Sequence, residues 1–363
     1  MLLSMVAYTW RMPSARPTGL FALELAFLFI LTPIRGHART WQVTVDHSGD
    51  ASTIQAAIDS SAYGDTVLVA PGTYFENINF LGKNLWLHSA SGPEVTTING
   101  SNLAESVVLF VTGETQYSIL EGFTITGGRG HLVSSGPYGT GYFGGGIYID
   151  NSSPRIRNNI IRNNQAPHGG GVNITGSPSI DPALLSPHLE GNTISDNTAN
   201  YDGGGLRIDF GNVVITNNRF LQNDANARGG GIYLRAWGSA TINRNQFRYN
   251  TAEAGGGLFA GFIGPKTVSF NLFVGNVARA TGGGAHIESS DNVIVNNTFA
   301  RNTAGATTSS CTGGGLFLKN FYDTSVIRNI FAENLGCGIV CDNSYSTIDY
   351  QNNLAWEKKS GDI

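Results

Sequence analysis

One repeat constrains this chain more than any other feature. A copy reads Asn218-Arg219-Phe220-Leu221-Gln222-Asn223, followed shortly by Gly229-Gly230-Gly231-Ile232-Tyr233-Leu234. Further copies of the Asn-x-(Phe or Ile)-x-x-Asn half begin at Asn159, Asn192, Asn245, Asn271, Asn297 and Asn329, and copies of the Gly-Gly-Gly half at Gly144, Gly169, Gly203, Gly255, Gly282 and Gly313. Most copies follow one another at 26 or 27 residues, as from Gly203 to Gly229 to Gly255 and from Asn218 to Asn245. A fixed period of this length is the mark of a stacked solenoid.

The unit from Gly229 to Ala254 shows how it coils. Ile232 and Leu234 share one strand face and Tyr233 and Arg235 the other. Ala240-Thr241-Ile242 and Gln246-Phe247-Arg248 follow as short strand-like runs. About three strands and three turns per coil are expected, each strand pairing in parallel with its equivalent about 4.8 Å along the axis, with right-handed winding. Ile161, Ile194, Phe220, Phe247, Phe273, Phe299 and Phe331 are expected as an apolar column in the bore, and Asn164, Asn197, Asn223, Asn250, Asn276, Asn302 and Asn334 as a ladder of stacked amides at a left-handed turn. The fold class is therefore all-β, a single-stranded right-handed parallel β-helix. Ile54, Ala57 and Ile58 have helical spacing, and a short helix there is expected to cap the N-terminal end.

Three regions follow. Residues 1–38 read as a signal peptide: Arg11 and Arg16 precede a run from Leu20 to Leu31 that is apolar apart from Glu24, and Gly36-His37-Ala38 supplies small residues for cleavage. An uncleaved anchor is the alternative, but the run is short for a span. Residues 39–128 form the cap and irregular coils, and residues 129–363 the regular repeats. No cap is visible after Trp356, so either the charged tail covers the last coil or the chain is a piece of a longer, anchored protein. No membrane span is expected in the mature chain. Charged residues are only 13% with a net charge of −4, which argues against nucleic acid. Cys311, Cys337 and Cys341 leave open one pair with a free thiol, or three unpaired thiols.

Thr53-Ile54-Gln55-Ala56-Ala57-Ile58, Gly64-Asp65-Thr66-Val67-Leu68-Val69 and Pro71-Gly72-Thr73-Tyr74-x-Glu76 resemble the opening of many right-handed β-helices of the pectin-lyase-like superfamily, pectinesterases among them. The Gly-Gly-Gly and Phe-x-x-Asn pair is similar to repeats of polymorphic outer membrane proteins. The resemblance implies the fold for nearly the whole mature chain; its members include lyases, hydrolases, esterases, epimerases and adhesins.

An enzyme or lectin of this kind would bind a sugar chain along an outer sheet. The stripe after the glycines is Tyr148, Asn173, Arg207, Tyr233, Phe259, His286 and Phe317, with Asp150, Asp209, Arg235, Glu288, Lys319 and Asp342 beside it. Tyr148, Tyr233, Phe259 and Phe317 are the candidate ligand-binding residues, since aromatic faces suit sugar rings. Arg207, Asp209, Arg235, His286 and Glu288 are the catalytic candidates. A solvated face with ordinary cross-strand pairs is the competing reading. Asp202 and Asp209 share a coil, but the glycines and a strand are expected to separate them. No cofactor or metal is expected: the histidines lack ligand spacing. Polysaccharide is the candidate partner, and the location secreted or cell-surface. Three readings follow: a β-helix that binds polysaccharide or another surface partner, a lyase or hydrolase acting on pectin-like acidic polysaccharide, and a structural spacer.

Overall fold

One coil shows the architecture. The chain runs through Ile232–Trp237, Ala240–Asn243, Gln246–Arg248 and Thr251–Ala254, then turns at Gly255 into the next coil. These strands belong to four parallel sheets, here sheets I to IV, which hold 10, 12, 11 and 6 strands among the described residues. The computed structural model describes residues 38–356, apart from 102–103, 137–138, 178, 262–263, 289–290, 306–310, 320–322 and 343–347. The expected signal peptide, up to residue 37, and the tail after residue 356 lie outside the described residues. The fold is the expected right-handed parallel β-helix, with one α-helix among the described residues, Ile54–Ser60, at its N-terminal end. Thr53 caps that helix, and the Glu76 carboxylate accepts from the backbone N–H of Ile54 and Gln55, 2.9 Å each. Lys83 Nζ binds the carbonyls of Ile58, Asp59 and Ser61 at the other end, so opposite charges complement the helix dipole.

Two expectations need correction. The coil has four strands, not three. The fourth, in sheet IV, is as short as Asp224–Ala225, too brief to leave an alternating pattern in sequence. In the irregular coils, Ile119–Glu121 and Thr124–Thr126 are separate strands, with Gly122 turning between them at φ +79. The stacked asparagines are also not the left-handed residues of their turns. That conformation falls one position earlier, on residues as varied as Gln222, Tyr249, Phe270 and Glu333. Just after residue 129 the chain forms an antiparallel pair, His131–Gly136 with Gly139–Phe143.

The bore is as expected. Phe220, Phe247, Phe273, Phe299 and Phe331 are buried and stack nearly parallel, with centroids 4.5 to 5.1 Å apart. Two asparagine ladders flank this column. In one, Asn250 donates its backbone N–H and its Nδ2 to Asn276 Oδ1, at 3.1 and 2.9 Å. Its Nδ2 also donates to Phe220 O at 2.9 Å, while its own Oδ1 accepts from the N–H and Nδ2 of Asn223, both at 3.0 Å. The second ladder, Asn159 through Asn329, repeats the pattern at the other end of each sheet III strand. Cys311 pairs with Cys337, and Cys341 is free and exposed.

Each ladder amide satisfies backbone groups that water cannot reach. Asn250→Ala would leave the Asn223 N–H buried without a partner and take from the Phe220 carbonyl its side-chain donor, the first alone costing about 1–3 kcal/mol. Chemical denaturation should therefore show a loss of about 2–3 kcal/mol or more. A loss below about 0.5 kcal/mol, the range of an ordinary surface change, would show that the ladder is not a source of stability.

Candidate functional site

The three glycines make the site. The first takes a left-handed φ, +65 at Gly229, and a Cβ on Gly230 would sit 2.4 Å from Thr251 O and 2.5 Å from Gly256 O. Only bare backbone can stack this closely, and the chain folds inward there. A re-entrant corner results, running along the axis between sheets IV and I. Every coil contributes three positions to it: a wall residue just before the glycines, a floor residue at the second strand position after them, and a rim residue two further on.

The expected stripe is the floor of this corner. It points away from the bore, yet it is not an open platform. Tyr148, Tyr233, Phe259 and Phe317 are 4, 2, 2 and 7% exposed, because wall side chains and neighbouring floor side chains lie over them. The His131 ring stacks on Tyr148 at 4.9 Å. The Arg228 guanidinium lies 5.2 Å over Phe259, and that of Arg207 lies 5.9 Å over Tyr233. Neighbouring side chains therefore cover all four rings. Aromatic rings open to solvent gather elsewhere: Tyr63, Trp86 and Tyr117, 72, 37 and 67% exposed, line a groove of about 430 Å³ along sheet II.

The catalytic candidates divide into two groups. Arg207 and Asp209 are neighbours on the strand Leu206–Phe210 and form a buried ion pair, with Arg207 Nη1 also donating to Asn173 Oδ1 at 3.2 Å. Asn173 Nδ2 and Asp209 Oδ1 are buried without hydrogen-bond partners. Arg235, one coil on, and Arg207 both act electrostatically on Asp209 and on Asp202. Asp202 acts electrostatically on Asp209 across the glycine corner, so the glycines and the strand do not isolate the two carboxyl groups from each other. His286 and Glu288 form the second group, about 14 Å along the axis at 4.8 Å per coil. His286 bridges Thr281 and Glu288. The sequence reading missed Thr281 and Arg228. Their signal was present, since both occupy the place immediately before Gly-Gly-Gly or one homologous to it in register.

Burial sets the electrostatics of the first group. It pushes Asp209 up to about 6 against the pull of Arg207 and Arg235. It raises Asp202, Asp150 and Tyr148, and takes Tyr233 up to about 12. Burial, aided by Arg207, brings His168 down to about 4; its ring stacks between Phe143 and Tyr201. Perturbed groups concentrated in one corner are characteristic of functional sites.

These shifts have opposite signs in stability. Asp209 is raised from 3.8, so its contribution is full below about 4 and is lost as pH rises through about 6. His168 is depressed from 6.5, so its contribution is full above about 6.5 and is lost as pH falls toward 4. Thermal melts between pH 4 and 7 should show wild type losing ground to Asp209→Asn as pH rises, and losing ground to His168→Asn as pH falls. Parallel profiles for wild type and both variants would contradict the buried, perturbed state of these groups.

A family model described as "Periplasmic copper-binding protein (NosD)" matches residues 100–312. Pectinesterase 31 of Arabidopsis thaliana is 29% identical over 138 residues, 37% of this chain; the chain spans 37% of the length of that curated relative. Among solved structures, the A-module of the Azotobacter vinelandii mannuronan C-5 epimerase AlgE4 aligns with 16% identity and a TM-score of 0.45, covering 88% of this chain and 100% of that one. The AlgE6 A-module from the same organism aligns with 14% identity and a TM-score of 0.42, covering 84% and 94%.

Proposed function

This chain belongs to the NosD family, and from that premise we propose that it works outside the cytoplasm as a polysaccharide-binding β-helix, holding an acidic chain along the corner between sheets IV and I. The observation that carries this reading is the cluster of Asn173, Arg207 and Asp209: polar atoms buried in the corner, two of them lacking hydrogen-bond partners. Buried polar groups without partners are costly, and a ligand's hydroxyl and carboxylate groups would supply what is missing. Arg228 and Arg235 add positive charge at the wall and rim, suited to a uronate carboxylate. The Cys311–Cys337 disulfide favours an oxidising compartment, in keeping with the family's periplasmic description.

The family's name also raises copper. The described residues do not fit it. Among them no three His, Cys, Asp or Glu side chains gather closely enough to hold a metal ion, two of the three cysteines are bonded to each other, and all three methionines, Met1, Met5 and Met12, lie outside the described residues. A second reading, an enzyme acting on the same polysaccharide, is favoured by the raised carboxyl groups of Asp202 and Asp209 on either side of Arg207.

Binding of polygalacturonate and of a neutral glucan separates these readings. Arg228→Ala and Arg235→Ala should each weaken polygalacturonate binding about tenfold or more, equivalent to 1.4 kcal/mol, with melting temperatures unchanged. Equal affinity for the neutral glucan would overturn recognition by charge. Loss of binding in Trp86→Ala with both arginine variants intact would move the site to the sheet II groove. Release of reducing or unsaturated ends would favour the enzyme.

A further inference from the structure

Thr281, His286 and Glu288 occupy the wall, floor and rim of a single coil, and their side chains form one hydrogen-bonded chain. Thr281 Oγ1 lies 2.7 Å from His286 Nδ1, and His286 Nε2 lies 3.1 Å from Glu288 Oε1. The hydrogen bond from His286 holds the Glu288 carboxyl below its ordinary range, with Lys319 and Arg228 adding to the effect, so it is ionised and can only accept. The imidazole hydrogen therefore sits on Nε2, and Nδ1 is left to accept the Thr281 hydroxyl proton.

We infer that these residues form an acyl-transfer centre, with Thr281 the nucleophile, His286 its general base and Glu288 the residue that positions the imidazole, acting on O-acyl esters carried by a polysaccharide. A hydroxyl, an imidazole and a carboxylate in this order are the elements of nucleophilic ester cleavage. The polysaccharide part rests on the preceding reading; the ester chemistry does not. The neighbouring coils argue against a purely structural network. Their equivalent positions hold Ala254, Phe259 and Gly261 on one side and Thr312, Phe317 and Lys319 on the other. The repeat therefore folds without the relay. The imidazole is fixed between the rings of Phe259 and Phe317, at 4.8 and 4.9 Å, while Thr281 and Glu288 are only half-buried and can be reached. Arg228, leaning over Phe259 in the neighbouring coil, adds positive charge that acts on Glu288.

In the step itself, Thr281 Oγ bonds to the ester carbonyl carbon and its proton passes to His286 Nδ1. The carbon–oxygen bond to the sugar then breaks, and the sugar oxygen takes the proton from His286. Water, deprotonated by His286, attacks the acyl-threonine; the carboxylic acid leaves and the Thr281 hydroxyl is restored.

The test uses 4-nitrophenyl acetate and an O-acetylated polygalacturonate with the whole protein. Wild type should release 4-nitrophenol and acetate, and Thr281→Val and His286→Gln should each lower the rate about 100-fold or more. Thr281→Ser should retain activity, which guards against a misfolded valine variant. Glu288→Gln should lower kcat with KM unchanged, and Glu288→Asp should recover part of it. Intact-mass and peptide analysis of acid-quenched samples should find one acetyl group on Thr281. Wild-type turnover no faster than that of a folded Thr281→Val, or acetyl on another residue, would overturn the centre. Cleavage of the small ester but not of the polymer would keep the centre and overturn its polysaccharide substrate.

Discussion

The structure depends on how closely one coil's backbone can approach the next at the Gly-Gly-Gly corner. The glycine N–H groups donate to the glycine carbonyls of the following coil, Gly229 through Gly231 bonding to Ala254, Gly255 and Gly256 at 3.0 to 3.2 Å. A side chain on the middle glycine would meet backbone oxygens on two sides, and backbone cannot move aside without breaking the stack. Sheets IV and I meet at an inward angle for this reason. The asparagine ladders and the phenylalanine column serve the same stacking from the other corners. They set the register along the axis but leave the exterior of each coil chemically free.

The inward angle has an electrostatic consequence. On a flat or convex sheet, outward residues face water, and their charges are screened and near their ordinary pKa. Here an outward residue of sheet I is roofed by the wall residue that precedes the glycines. Arg207 and Asp209 are consequently almost without solvent contact, although they point away from the bore. Their desolvation is not fully compensated, since Asp209 Oδ1 and Asn173 Nδ2 have no hydrogen-bond partner. A buried ion pair of this sort is poor evidence for stability. Its location in a corner lined with other ionisable groups makes a functional explanation the more economical one.

The scaffold was legible in the sequence because it repeats. Phe220, Phe247 and Phe273 recur at the coil period, and Asn223, Asn250 and Asn276 recur beside them, so bore and ladder could be assigned without a structure. Sheet IV was not legible, since a two-residue strand such as Thr198–Ala199 carries no pattern. The site was half legible. Alternation after the glycines placed Arg207, Tyr233 and His286 outside the bore, and it did so correctly. It could not show that they are roofed, because that depends on a left-handed glycine folding the residue before it back over the strand. Asp202 seemed remote from Asp209, and Thr281 went unnoticed beside His286, for that one reason. Counting five places back from each floor residue recovers both.

The same geometry explains why chemistry can differ from coil to coil. Each coil of a solenoid contacts only its neighbours, and the wall, floor and rim positions contribute nothing to the bore or the ladders. The coil of Asp202, Arg207 and Asp209 and the coil of Thr281, His286 and Glu288 occupy equivalent positions with unrelated side chains. The stacked rings of Tyr233 and Phe259 lie between them, 5.6 Å apart. Two coils intervene, and Arg228, which acts electrostatically on both Asp202 and Glu288, links the two groups. A linear polymer lying along the axis would reach both. A chain held by the arginines of the first group would thereby present a neighbouring unit to the hydroxyl and imidazole of the second, so that the spacing of the coils, and not a single pocket, would select where the polymer is acted on.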